Sequence, residues 1–203
     1  MTSSNLIQWG GMAAMLGGAL FVVSALLILA VDLSSYGEAV ATGTFTVHAA
    51  LFMLAAALLL LGLVGLYARH SEAAGALGLV AFLLAFFGTA FALGLNWAET
   101  FAVPVLAQTT PELLAEGPSG RLAFGFALSF PLFSLGWLLF GVALLRARVY
   151  PRVAVVLLII GALLTFFPVP GFGIVLGVAV TWLGYALFSA EATIAEQQPQ
   201  RVR

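Results

Sequence analysis

Six long apolar runs alternate along the chain with short segments that hold nearly all of its charge. A helix needs roughly 20 apolar residues at about 1.5 Å each to cross a hydrocarbon core about 30 Å thick. The pattern predicts spans near 9–31, 44–67, 73–96, 122–145, 153–167 and 171–189. The fifth is short by itself. Pro168-Val169-Pro170-Gly171 interrupts the run 153–189, and two helices turning sharply at one face fit that break better than a single helix. A shallow re-entrant hairpin is the other reading of this pair. The predicted fold class is an all-α integral membrane protein, a six-helix transmembrane bundle over 1–190 followed by a polar cytoplasmic tail over 191–203.

Composition narrows the class further. With 63% hydrophobic and 7% charged residues, there is too little polar surface to keep a 203-residue globule in water. Cysteine is absent, which excludes a disulfide framework and a thiolate metal site. Residues 1–8 carry no basic side chain, and the first apolar run exceeds the ~7–15 residues of a signal h-region, so it is expected to stay as the first helix.

Orientation is read from arginine, because Arg-rich short loops stay cytoplasmic. Arg69, Arg146, Arg148, Arg152, Arg201 and Arg203 fall on one side of the predicted topology, and only Arg121 on the other. That other side carries Asp32, Glu38, Glu99, Glu112 and Glu116. Both termini are therefore expected inside, and the loops 32–44 and 97–120 outside. Trp9, Tyr67 and Tyr150 at the inner boundary and Trp97 at the outer one fit aromatic belts.

Within the helices, small residues recur every fourth position at Gly10, Ala14 and Gly18, and again at Gly173, Gly177 and Thr181. Such stripes let backbones approach closely, chiefly inside a bundle and otherwise at a dimer seam. Related Leu/Gly patterns ending at Arg69, at Arg146 and near Phe188 raise the option of three related hairpins. Pro131 is expected to kink its helix and free a carbonyl, with Ser129 and Ser134 as nearby partners. Trp137 and Trp182 lie deeper than belt residues, so each indole N–H is expected to need an acceptor.

The candidate chemistry emerges from depth. Counted from the arginine ends, His48 and Arg121 lie roughly 31 and 37 Å away, and Asn96 and Glu99 similarly far. Asp32 belongs to the same level. Asp32, His48, Asn96, Glu99 and Arg121 are therefore the candidate ligand-binding residues of one external pocket, since ionisable groups at membrane depth are costly unless they pair, face the bundle or meet water. A salt bridge between Glu99 and Arg121, with helix caps at His48 and Asn96, is the structural alternative. The long segment 97–120 is expected to form a short interfacial helix over 111–116, capped by Thr110 and ended by Gly117-Pro118, which lies over the pocket as a lid, docks a partner or simply links helices.

Other chemistries find less support. No spacing of His and acidic residues marks a metal site. His48 and His70 are 22 positions apart, about 33 Å along a helix, and cannot share one haem iron. A haem or pigment held by His48 alone, walled by some of the 17 phenylalanines, remains an option, whereas no cofactor is the main expectation. His70, beside Arg69 and Glu72, reads as a solvated loop residue. No nucleophile elbow, Ser/His/Asp set, intramembrane aspartate pair or phosphate-cradling loop is present.

The stretch Gly136-Trp137-Leu138-Leu139-Phe140-Gly141, continuing through Arg146-Ala147-Arg148-Val149-Tyr150-Pro151-Arg152 to Gly161, resembles a segment of uncharacterised small multispanning membrane proteins of bacteria. The resemblance covers the fourth and fifth predicted helices and implies a bacterial cytoplasmic membrane; it brings no activity and no site residues. The functional expectation is a non-catalytic membrane binding or accessory subunit. Its partners are membrane lipids and a homo-oligomer or larger membrane complex, not nucleic acid. A small-solute transporter or channel using the Pro131 bend is the first alternative, and an intramembrane enzyme acting on lipid, with His48 and Glu99 in one cleft, is the second.

Overall fold

The computed structural model describes residues 3–114, 120–167, 171 and 173–197. Among these there is no strand. The elements are α1 (Ser3–Ile28), α2 (Tyr36–Val40), α3 (Gly43–Phe101), α4 (Val103–Thr109), a single 3-10 turn at Pro111–Leu113, α5 (Gly120–Ala147), α6 (Arg152–Leu164) and α7 (Gly173–Gln197). Four helices are long and apolar enough to cross a membrane, over Asn5–Ile28, Gly43–Thr109, Ala123–Ala147 and Gly173–Ala190, and α6 is a shorter apolar helix.

The predicted connection at 68–72 does not form. Helix α3 runs on to Ala74 and reverses at Gly75, whose φ of 57° and ψ of −149° lie outside the helical region. Ser71-Glu72-Ala73-Ala74 contains no helix breaker, so the reversal waits for the first residue free of a Cβ. Tyr67 stacks on Phe82 across this reversal, with centroids 4.5 Å apart and planes 16° from parallel.

Small residues set the seams between neighbours. A Cβ on Gly10 would sit 2.6 Å from the Gly65 Cα, and one on Gly62 would sit 2.8 Å from the Ala14 Cα, so α1 packs backbone to backbone against the arm 43–74. On its other side α1 meets α7, where a Cβ on Gly18 would sit 2.6 Å from the Gly177 carbonyl and 2.5 Å from the Thr181 hydroxyl. Both small-residue stripes are therefore spent inside the bundle. The arm 76–101 packs on α5 through Gly88 and Gly136, and α6 packs on α7 through Gly161. The segments close on themselves in chain order, and Phe21, Phe52, Phe133, Trp137 and Phe140 fill the interior.

Two ends follow. Tyr150, in the turn between α5 and α6, donates its hydroxyl to the Leu66 carbonyl at 3.0 Å, which places Arg146, Arg148 and Arg152 at the same end as Arg69. Gly11 packs against Gly184 and Phe188 near that end. Arg148 caps α5 with φ 55°, the left-handed residue that turns the chain toward α6. The opposite end holds α2, α4 and the 3-10 turn, which close a small apolar cap of Val40, Phe45, Ala49, Val103 and Leu114.

Several expectations need correction. Tyr150 is core rather than belt, because its hydroxyl finds a backbone partner inside. His70 is 1% exposed instead of solvated: it follows Leu59, Leu63 and Leu66 on the buried face of α3. Trp182 is 41% exposed on the outer surface, so its indole does not enter the core. Ser129 and Ser134 bond the carbonyls of Gly125 and Phe130 at 2.7 and 2.8 Å, not the Ala127 carbonyl that Pro131 frees. The helix expected at 111–116 lies earlier, as α4; Pro111–Leu113 makes one 3-10 turn and the Thr110 hydroxyl turns back to Leu106 instead of capping it. Glu116, Gly117 and Pro118, the break at 168–170, and Arg201 and Arg203 lie outside the described residues. Helix α7 continues through Gln197, past the tail boundary expected at 191.

Candidate ligand pocket

At the end opposite the arginines, the bundle interior opens into a cavity of about 360 Å³. Its wall is mostly aromatic: Phe21 from α1, Phe45 and Phe52 from α3, Phe130 from α5, and Phe166 and Phe167 beyond α6. The polar lining is Tyr36, His48, Asn96, Glu99 and Thr165. The volume falls at the small end of the ~300–1,000 Å³ usual for ligand clefts, and an apolar wall with a few convergent polar groups is the usual make-up of such sites.

Local helix geometry explains the convergence. Phe45, His48 and Phe52 are spaced three and four apart and share one face of the arm 43–74. His48 is fixed by Ser24 of α1, which is fully buried. The Ser24 hydroxyl donates to the His48 carbonyl at 3.1 Å, so toward the imidazole both Ser24 oxygens are acceptors. The His48 Nδ1–H donates to them, at 2.8 Å to the carbonyl and 2.9 Å to Oγ. That tautomer leaves Nε2 as a bare acceptor, and no donor among the described residues reaches it.

Asn96 and Glu99 lie three apart on the arm 76–101, 2% and 7% exposed. Asn96 donates one of its two amide N–H groups to the Ala92 carbonyl at 2.9 Å, and its Oδ1 receives no donor among the described residues. Glu99 accepts one bond, from the Tyr36 hydroxyl at 3.4 Å. Among the described residues no cation is in ion-pair contact with it. Burial first, and then the Glu99 carboxylate beside it, hold the Tyr36 phenol well above its ordinary pKa, so it stays a neutral donor.

Of the five candidates drawn from depth, His48, Asn96 and Glu99 line the cavity and Asp32 and Arg121 do not. Asp32 is exposed and accepts the Ser34 backbone N–H at 2.9 Å, which lowers its pKa. Arg121 is exposed at the start of α5. His48 and Glu99 share the cavity, but no hydrogen bond links them. Tyr36 and Thr165 were missed. Tyr36 stands on a five-residue helix too short to show periodicity, and its one visible signal is an aromatic beside a glycine in an otherwise polar loop. Thr165 follows directly after the end of α6, where it bonds the Ala162 carbonyl at 2.7 Å and the Ser134 hydroxyl.

No family model, curated protein or solved structure matches this chain. The reading of the pocket therefore rests on its own chemistry. A second buried histidine sits at the far end: the His70 Nδ1–H donates to the Leu66 carbonyl at 2.6 Å, and its Nε2, buried among the rings of Tyr67, Phe140 and Tyr150, has no hydrogen-bond partner among the described residues.

Proposed function

We propose that the chain is a multi-pass protein of a bacterial cytoplasmic membrane, acting as a non-catalytic binding or accessory subunit that holds a small, mostly apolar ligand in its external pocket. The helices cross six times: α1, the two arms of α3, α5, α6 and α7. Helix α6 supports its own crossing, since its first residue lies in the arginine turn and the next residue after its end, Thr165, borders the cavity. Arg69, Arg146, Arg148 and Arg152 gather at one end, which the positive-inside rule assigns to the cytoplasm; both termini then lie inside and the cavity faces out.

The observation that carries the binding reading is an aromatic cavity of about 360 Å³ whose polar groups retain unused acceptors. Below it, Phe21, Phe133 and Trp137 are each at most 1% exposed, so among the described residues packed side chains separate the cavity from the arginine end. That packing favours a binding pocket over a water-lined path.

Native mass spectrometry of the protein released gently from its own membrane tests this. The expected result is a reproducible added mass that disappears in Ala25→Phe, because Ala25 lines the cavity and a phenyl ring would fill it. The same spectrum reads partner masses and subunit count. A bare wild-type chain overturns the reading.

A further inference from the structure

The unused polar atoms of the pocket are mostly acceptors, and this points to the ligand class. Glu99 offers a carboxylate that can accept about four hydrogen bonds and receives one, long, from Tyr36. Asn96 offers Oδ1, while one of its two N–H groups is spent on its own helix. His48 offers Nε2, because Ser24 holds the proton on Nδ1. Three acceptors from both arms of α3 thus line one cavity, and among the described residues the one free donor beside them is the second Asn96 N–H: Thr165 directs its hydroxyl to the Ala162 carbonyl and the Ser134 hydroxyl.

Charge points the same way. A carboxylate 7% exposed is costly to bury without a counter-charge, and among the described residues none is in contact with it. The surrounding walls are aromatic. Phe21 and Phe52 meet edge to face at 4.7 Å, and Phe45 and Phe52 flank His48 at 6.0 and 6.2 Å. Phenyl faces attract cations most strongly where water is excluded. An ammonium group brings three N–H donors and the missing charge, and a hydrocarbon body fits the rest of the space.

We infer that the pocket binds an amphiphilic organic ammonium, with Glu99 as counter-ion, Asn96 Oδ1 and His48 Nε2 as further acceptors, and the apolar body against the phenylalanines. This rests on the binding reading above and narrows it to one ligand class. Its exposed rim at Leu33, Phe166 and Phe167 gives such an amphiphile an apolar entrance.

The test uses the full chain in lipid nanodiscs, with empty nanodiscs subtracted, and three probes of one shape: 2-phenylethylammonium, neutral 2-phenylethanol and anionic phenylacetate. The expected order is ammonium, alcohol, carboxylate, with at least about a tenfold preference for the ammonium over the alcohol, the size of one charge-assisted contact. Glu99→Gln should abolish that preference, bringing ammonium binding down to the level of the alcohol. Tyr36→Phe, which keeps the carboxylate and removes its one donor, should retain or increase it. Equal binding of ammonium and alcohol by the wild-type chain, or a preference that survives Glu99→Gln, overturns the ammonium assignment while leaving the apolar pocket standing. Failure of all three probes to bind overturns both.

Discussion

The Trp137 indole donates to the Thr89 hydroxyl at 3.0 Å, with both residues fully buried where α5 crosses the second arm of α3. Thr89 in turn donates to the Ala85 carbonyl at 2.7 Å, so one hydroxyl serves as acceptor and donor at once. Gly136, next to Trp137, brings the two backbones close at the same place: a Cβ there would sit 2.5 Å from the Ala85 Cα.

Removing that hydroxyl leaves the indole N–H without a partner in an apolar interior. Thr89→Val keeps the shape and should destabilise the bundle by about 1 kcal/mol, between the average of roughly 0.6 and the maximum of roughly 1.7 kcal/mol found for interhelical bonds in membranes. Thr89→Ser should stay close to wild type. Denaturant titration in mixed micelles measures both; equal stabilities would show that the bond contributes nothing net.

Glycine substitutions should divide by seam. Gly10→Ala places a methyl 2.6 Å from the Gly65 backbone, which no rotamer change relieves, so α1 must move away from α3. The same substitution at Gly94, which has nothing within 4 Å, only gains helix propensity, up to about 1 kcal/mol. The expected outcome is a lower thermal midpoint for Gly10→Ala and an unchanged or higher one for Gly94→Ala.

How far the sequence carried depends on what each signal measures. Apolar run length sets where helices lie: each of the four helices long and apolar enough to cross a membrane among the described residues overlaps a run identified from hydropathy, Gly43–Thr109 taking in two, while the fifth run gives only the shorter Arg152–Leu164. Depth counting gives height along the bundle but not direction around it. It therefore brought His48, Asn96 and Glu99 to one level with Asp32 and Arg121, although the last two are exposed outside the cavity. Azimuth was available for His70: Leu59, Leu63, Leu66 and His70 repeat at four, three and four, a core stripe that its charged neighbours Arg69 and Glu72 concealed. The caps were least legible, because α2 and α4, five and seven residues long, are held by apolar contacts with α3 and Leu114 rather than by their own periodicity.

The phenol of Tyr36 supplies a pH dependence of known sign. Its folded pKa lies above the ordinary value of 10.0, chiefly through burial and next through the Glu99 carboxylate. The folded state thus favours the neutral phenol. The stability it contributes is complete below about pH 10 and is lost as the pH rises toward the higher folded value. In the difference of tyrosinate absorbance between wild type and Tyr36→Phe, this residue should ionise later than an exposed tyrosine. Glu99→Gln removes the neighbouring charge but not the burial, so the midpoint should fall part of the way and remain above 10.0. A Tyr36 that titrates normally in the intact protein would mean that its phenol is not buried beside Glu99.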